Sequence, residues 1–277
     1  MSSIAVASHT DADDVMVKAG RVALATQGVL YLIIGALALD LARGDRGEEA
    51  SQRGALEAAA RQPFGKVLLI VLLVGLVAHA GWRIALAIRG EPGPDDDSKA
   101  VLKRVANVGR AAIYVGLAYA ALQILMKSGE SSGGDTEKKS TAAVLDWPGG
   151  RWIVIAVGLG VIAGGLWNAS KAVTAKFLER LDLSQLDEGR RKAVEITGRI
   201  GYPARGLAFG LVGWFLVKAG IEYDPNESRG LDQSLRELTE ADHGTLVLTA
   251  LALGLVLFGA YRLLDAKYRK ASEITYS

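Results

Sequence analysis

The stretch that decides the fold is Val67–Ile88, VLLIVLLVGLVAHAGWRIALAI. Its first half, Val67–Val77, carries no polar side chain on any helical face. A helix that is apolar all round belongs in a membrane or in a deep core. About 20 residues, at ~1.5 Å each, cross the ~30 Å hydrocarbon layer. Five more runs share this character: Val22–Leu39, Val105–Met126, Trp152–Ala169, Ile200–Val217 and Thr245–Tyr261. Within the fourth, Trp152–Leu166 is again apolar on every face. Six such helices cannot all be interior helices of a soluble chain of 277 residues. The fold class is therefore all-α integral membrane, with six transmembrane helices.

The connecting segments are highly charged, and their basic residues set the orientation. The side holding both termini and the 2–3 and 4–5 loops carries 20 of the 32 Lys and Arg, and the opposite side is net acidic. By the positive-inside rule both termini are expected in the cytoplasm and the chain in the cell membrane. The first 20 residues include Asp11, Asp13 and Asp14 and lack an apolar core, so no cleavable signal peptide is expected. The segment Ser128–Ser140 is flexible by composition, Glu91–Ser98 reads as an acidic turn, and Lys171–Thr197 has a helical pattern with a break expected near Gly189.

An internal repeat organises the whole chain. The odd helices open on Arg21-Val22-Ala23, Arg104-Val105-Ala106 and Arg199-Ile200-Gly201. Six residues after each Arg stands Gln27, Arg110 or Arg205, and four further on stands Tyr31, Tyr114 or Phe209. The even helices open on Gly65, Gly150 and Gly244, with Gly75, Gly160 and Gly254 ten residues on. Seven residues later come Trp82, Trp167 and Tyr261, followed by Arg83, Asn168 and Arg262. A short amphipathic stretch precedes each even helix, at Ala55–Arg61, Thr141–Asp146 and Leu231–Glu240. The division is a tail at 1–19, repeats at 20–90, 91–180 and 181–270, and a tail at 271–277. Two spans per copy make the repeats parallel, which implies a pseudo-threefold bundle. Gly75, Gly160, Gly164, Gly206, Gly210 and Gly254 are the expected helix-packing positions, two pairs of them in small-x3-small spacing.

This pattern resembles the DUF1206 family of bacterial membrane proteins. The Arg-led odd helices, the Gly65–Gly75–Trp82–Arg83 pattern and its two echoes carry the resemblance, which runs from Lys18 to Tyr268. The third copy departs by having His243-Gly244 where the others have Pro63-Phe64-Gly65 and Pro148-Gly149-Gly150. The resemblance implies six helices in three repeats and no particular activity.

The most specific polar feature is the ring Gln27, Arg110 and Arg205 with its aromatics Tyr31, Tyr114 and Phe209. Each aromatic shares a helical face with the residue four before it, so Arg110 can stack on Tyr114 and Arg205 on Phe209. Two readings stand. The ring is an anion or lipid-phosphate site, for which the planar guanidinium fork is suited, or its arginines snorkel and tie helix ends. Trp82, Trp167 and Tyr261 are expected as interface anchors. His79 is expected to make a structural hydrogen bond.

No catalytic residue, metal site or cofactor is expected. The sequence lacks cysteine, mid-span carboxylate pairs, H-E-x-x-H, G-x-S-x-G and a phosphate-binding glycine loop. The near-neutral charge of +2 does not suggest nucleic acid. Membrane lipids, anionic ones included, are the expected partners. The functional expectation is a non-enzymatic structural or lipid-interacting envelope protein. The alternative is a channel or transporter for a small anionic solute along the pseudo-threefold axis.

Overall fold

Long unbroken apolar runs bounded by charged loops produce long helices. The computed structural model describes residues 3–45, 49–61, 65–90, 97–126, 141–184 and 186–271. Its helices are α1 (Ser3–Ala42), α2 (Gln52–Arg61), α3 (Gly65–Arg89), α4 (Asp97–Met126), a short α5 at 141–145, α6 (Gly150–Thr174), α7 (Glu188–Glu222), α8 (Leu231–Glu240) and α9 (Gly244–Tyr268). Six of them, α1, α3, α4, α6, α7 and α9, are long and apolar enough to cross a membrane. Most of the acidic turn expected at 91–98, the flexible segment expected at 128–140 and the pair Pro63-Phe64 lie outside the described residues.

The break between the fourth and fifth spans falls earlier than Gly189. Helix α6 ends where Ala175 turns left-handed (φ 49°), and a 3₁₀ turn follows at Lys176–Leu178. The next helix is started by Asp187, whose side chain accepts a hydrogen bond from the Arg190 backbone N–H. Gly189 therefore sits inside the first turn of α7. Between the two helices the chain pairs with the segment after α9. Asp182 N–H donates to the Tyr268 carbonyl at 2.7 Å, and Lys270 N–H to that of Arg180 at 3.1 Å.

The spans pack in the order α4–α3–α1–α9–α7–α6. The contacts follow the pseudo-threefold scheme at five interfaces of a six-membered ring. The sixth is open: α4 and α6, the two helices of the second repeat, make no substantial contact among the described residues.

Glycine pairs bring two backbones together where one repeat joins the next. On α6 and α7 a Cβ added to Gly165 would stand 2.5 Å from the Gly206 carbonyl oxygen, and one on Gly206 equally close to that of Gly165. Two turns away Gly158 and Gly213 meet in the same way, at 2.8 and 2.7 Å. The repeat-equivalent positions pack α9 on α1, where Gly259 meets Gly28 and a Cβ on Gly35 would lie 3.0 Å from the Ala252 carbonyl oxygen. In the third such interface, α3 with α4, the equivalent residues are Leu73, Ala80, Ala111 and Ala118, so the backbones cannot approach as far.

These contacts correct part of the expected glycine set. Gly75 packs against Thr26, Gly254 against Ala204 and Gly206 against Gly165. Gly160, Gly164 and Gly210 instead face no neighbour within 4 Å among the described residues. One residue along a helix turns a side chain by ~100°, so Gly158 and Gly165 look at α7 while Gly160 and Gly164 look away. The opening glycines Gly65, Gly150 and Gly244 have a common role: each leaves room for a carbonyl of the preceding short helix, those of Ala60, Val144 and Leu238. The residue before them takes a left-handed conformation in two repeats, at Gly149 (φ 80°) and at His243 (φ 59°).

The short helices do more than lie at the surface. They cross-tie the repeats at the end of the bundle away from the termini. The Asp232 carboxylate accepts the Ala50 backbone N–H at 2.7 Å, and the Thr141 and Ser228 hydroxyls share a buried hydrogen bond of 2.8 Å.

Substitution should separate the two glycine faces. Gly165→Leu and Gly206→Leu are expected to lose about 1–3 kcal/mol or more through overpacking. Gly160→Ala is expected to be neutral or to gain up to about 1 kcal/mol from helix propensity. Thermal unfolding of the purified protein measures this, and equal losses at Gly160 and Gly165 would contradict the register.

Candidate functional site

A polar group at membrane depth has to find its partners inside the protein. The polar residues of the repeat do so across repeat boundaries. Arg262 on α9 donates from Nε to Gln27 Oε1 at 2.6 Å, and Gln27 donates from Nε2 to the Tyr114 hydroxyl at 3.1 Å. Arg205 donates from Nε to the Tyr31 hydroxyl at 2.9 Å and from Nη1 to Asn168 Oδ1 at 3.0 Å. Its guanidinium also lies over Phe209 (4.7 Å), Phe258 (5.0 Å) and Tyr31 (5.5 Å). Arg205 is thus held by an internal network, where the sequence left open whether it snorkels.

Two rules generate this network. First, the residue after each even-helix aromatic meets the ring residue of the next odd helix, and an arginine is matched with an amide: Arg262 with Gln27, Asn168 with Arg205. Second, each ring residue donates to the aromatic of the next repeat: Gln27 to Tyr114, Arg205 to Tyr31.

The second repeat's ring residue breaks both rules. Arg83 and Arg110 are both cationic, and Asn107 stands between them as acceptor, 3.1 Å from Arg83 Nη1 and 3.5 Å from Arg110 Nη1. The hydroxyl that Arg110 would reach is replaced by Phe209, which has none. The ring therefore closes through Gln27 and Arg205 only. Arg110 is exposed. Nor does Arg110 have Tyr114 as a stacking partner in the expected way. That ring is taken by His79, at 3.8 Å between centroids and 37° between planes, and by Gln27.

Asp265, one turn beyond Arg262, completes the network. It is fully buried, accepting from Arg262 Nη1 at 2.5 Å and from Arg269 Nε and Nη2 at 2.8 Å each. A lone carboxylate there would be costly, and two arginines satisfy its oxygens. His79 is buried, and its Nε2 accepts from Arg83 Nε at 3.4 Å.

The three expected interface anchors divide. Trp82 (6% exposed) and Tyr261 (0%) lie in the core, while Trp167 is 68% exposed. This corrects the anchor role for Trp82 and Tyr261. Both helices carrying them are covered by neighbours on two sides, whereas α6 ends the row. Tyr261 joins Phe177, Tyr202 and Phe258 in an aromatic cluster with centroids 5.1–6.4 Å apart.

A surface hollow lies at the terminus-bearing end, lined by Leu178, Asp182, Arg191, Lys192, Glu195 and Lys270 among others. Hydrogen bonds from the Ser184 hydroxyl and N–H hold the Asp182 carboxyl below the usual carboxylate range. Acids and bases are mixed in its wall.

Three separate matches to the family model described as a domain of unknown function, DUF1206, cover residues 22–90, 105–175 and 200–269. The chain belongs to the DUF1206 family. It is also similar to an uncharacterized protein of Bacillus subtilis (strain 168), YxxB, with 33% identity over 250 residues covering 90% of each chain. No solved structure matches it. Each DUF1206 match holds one ring residue, one aromatic four residues on and one even-helix partner, so the polar network is built from one residue set used three times.

Sequence reading found most of these residues but missed two acceptors. Asn107 occupies a position filled by Leu24 and Tyr202 in the other DUF1206 copies, so no repeat signal marks it. Asp265 is paired only across one helical turn, with Arg262 and Arg269, a spacing that by itself is common on solvated helix ends.

The network predicts unequal losses. Asp265→Ala is expected to destabilise the protein by about 3–5 kcal/mol, since it strands two buried arginines. Tyr31→Phe is expected to cost about 1.5–3 kcal/mol, the worth of a hydrogen bond to a charged group, with Phe209→Tyr near neutral. Denaturation midpoints in detergent check the order, and a Tyr31→Phe protein as stable as wild type would remove Arg205 from the network.

Proposed function

We propose that this DUF1206 protein is a non-enzymatic, lipid-interacting structural protein of the cell membrane, with both termini in the cytoplasm. The observation that carries the reading is the mutual satisfaction of Gln27, Arg205, Arg262 and Asp265. A group that selects or carries a solute has to release its resting partners when the solute arrives. Here Arg205 has two hydrogen bonds and three aromatic faces, and Arg262 has Gln27 and a buried carboxylate. Their geometry supports a tie between helices. The exposed apolar faces support lipid contact, with Val101, Val105 and Val108 on α4 and Leu159, Leu166 and Trp167 on α6 all more than half exposed. The basic loops beside both termini fit the anionic inner surface of a membrane.

Two measurements test the reading. In liposomes, chloride and phosphate flux is expected to stay at the protein-free level, while lipid stays bound through purification. Anion flux above that level that falls in Arg205→Ala would establish the permeation alternative. For orientation, the lack of native cysteine makes single-cysteine labelling clean. Ser8→Cys and Ser272→Cys are expected to react with an impermeant maleimide only after permeabilisation, and Ser132→Cys in intact cells. The reverse pattern overturns the orientation.

A further inference from the structure

The open side between α4 and α6 is a groove made by missing side chains. In the first repeat Gly75 packs on Thr26, and in the third Gly254 packs on Ala204. The equivalent residues of the second repeat are Gly160 and Gly109, and among the described residues each has nothing within 4 Å of where a Cβ would be. The position that holds the buried His79 ring in the first repeat and the buried Phe258 ring in the third is Gly164 in the second, again with no described residue within 4 Å of a Cβ there. Gly116, equally without a described neighbour within 4 Å, replaces Ile33 and Leu211, which pack against the core. Glycine at four positions on α4 and α6 leaves the open side between them without side-chain bulk.

The charge at one end of this groove is one-sided. Asp265, which neutralises two arginines in the third repeat, has Lys171 as its equivalent in the second. Lys171 is half-buried, with Nζ 5.2 Å from the Tyr202 ring centroid. Arg205, Arg180, Arg262 and Arg110 are near enough to act on it, and all are positive. Arg110 stands on the other wall, exposed, and Asn107 at 3.5 Å, already shared with Arg83, is its hydrogen-bond partner among the described residues. Arg110 and Lys171 lie toward the same end of their antiparallel helices, and the glycines continue from there toward the other end.

We infer that the groove between α4 and α6 binds one anionic phospholipid, its phosphate on Arg110 and Lys171 and an acyl chain along Gly109, Gly164, Gly116 and Gly160. The inference rests on the lipid-interacting reading above and assigns it a place and a headgroup class. A guanidinium and an ammonium toward the same end of the two helices are complementary to a phosphate oxyanion. The apolar open side leading away from them favours a lipid over free phosphate. A second copy docking here about a twofold axis along the membrane normal would bring its own Arg110 and Lys171 to the same depth, and like charges would oppose it.

The test uses the full chain in vesicles of equal phosphatidylglycerol and phosphatidylcholine, followed by native mass spectrometry of the protein released in mild detergent. Wild type is expected to retain one phosphatidylglycerol per chain in preference to phosphatidylcholine. Arg110→Gln combined with Lys171→Gln should lower that retention by about tenfold or more, as expected for losing charged hydrogen bonds. Gly164→Phe installs the ring that the third repeat carries, and Gly116→Ile the side chain that the first carries. Either, with a cooperative thermal transition retained, should abolish retention of both lipids. Phosphatidylglycerol retained equally by wild type and all variants overturns the site and leaves the general lipid reading standing. No retained lipid in wild type overturns both. Thermal stabilisation by inorganic phosphate equal to that by phosphatidylglycerol overturns the lipid, and a wild-type dimer that becomes monomeric in Gly164→Phe assigns the groove to a second copy.

Discussion

Backbone-to-backbone approach at Gly165 and Gly206, repeated at Gly158 with Gly213 and at Gly28 with Gly259, is the constraint on which the rest depends. Within a bilayer no hydrophobic effect drives helices together, so close van der Waals packing between small residues has to do it. The approach brings each even helix against the following odd helix, and only then do Arg262 and Gln27, or Asn168 and Arg205, fall within hydrogen-bond reach. The polar network is thus a consequence of the glycine contacts as well as a reinforcement of them. Where the glycines give way to Leu73, Ala80, Ala111 and Ala118, the pairing of like charges at Arg83 and Arg110 is also the least complete.

Three copies of one unit therefore differ in a consistent way. The first and third repeats carry bulk at the inward positions, in His79 and Phe258, and meet through α1 and α9. The second repeat has Gly164 in place of that bulk, has Lys171 where the first has Leu86 and the third Asp265, and faces Phe209 where a hydroxyl would complete the ring. Its two helices end the row. The asymmetry coincides in packing, hydrogen bonding and charge, which makes the α4–α6 side the place where a ligand would be accommodated.

The six spans and three repeats were legible because a membrane imposes simple signals. Apolar runs near 20 residues need no periodicity to be read, and Arg, Gly and aromatic landmarks recur at fixed offsets. Orientation of side chains was less legible. Gly160 and Gly158 differ by two positions, yet one faces no described neighbour within 4 Å and the other a neighbouring backbone. In an all-apolar helix such as α6 no amphipathic stripe tells the two sides apart. Trp82, Trp167 and Tyr261 hold one repeat position and differ from core to surface, because α6 lacks the neighbour that α3 and α9 have. The destination of Arg205 depends on Tyr31 and Asn168, far away in the chain and on two other helices, and no local spacing encodes that.

The order of helices along the chain and their order in space give this protein a particular history during synthesis. Helix α1 leaves the ribosome before the other five spans, and the partner for Gly28 and Gly35 is α9, which follows the other five. At ~5–20 residues per second the interval is tens of seconds. For that time the first helix stands in the bilayer with its glycine face and Gln27 uncovered, and that contact forms only once α9 has followed. A chain that stops short of α9 would lose more than one span, because α1 would be left without its closest neighbour.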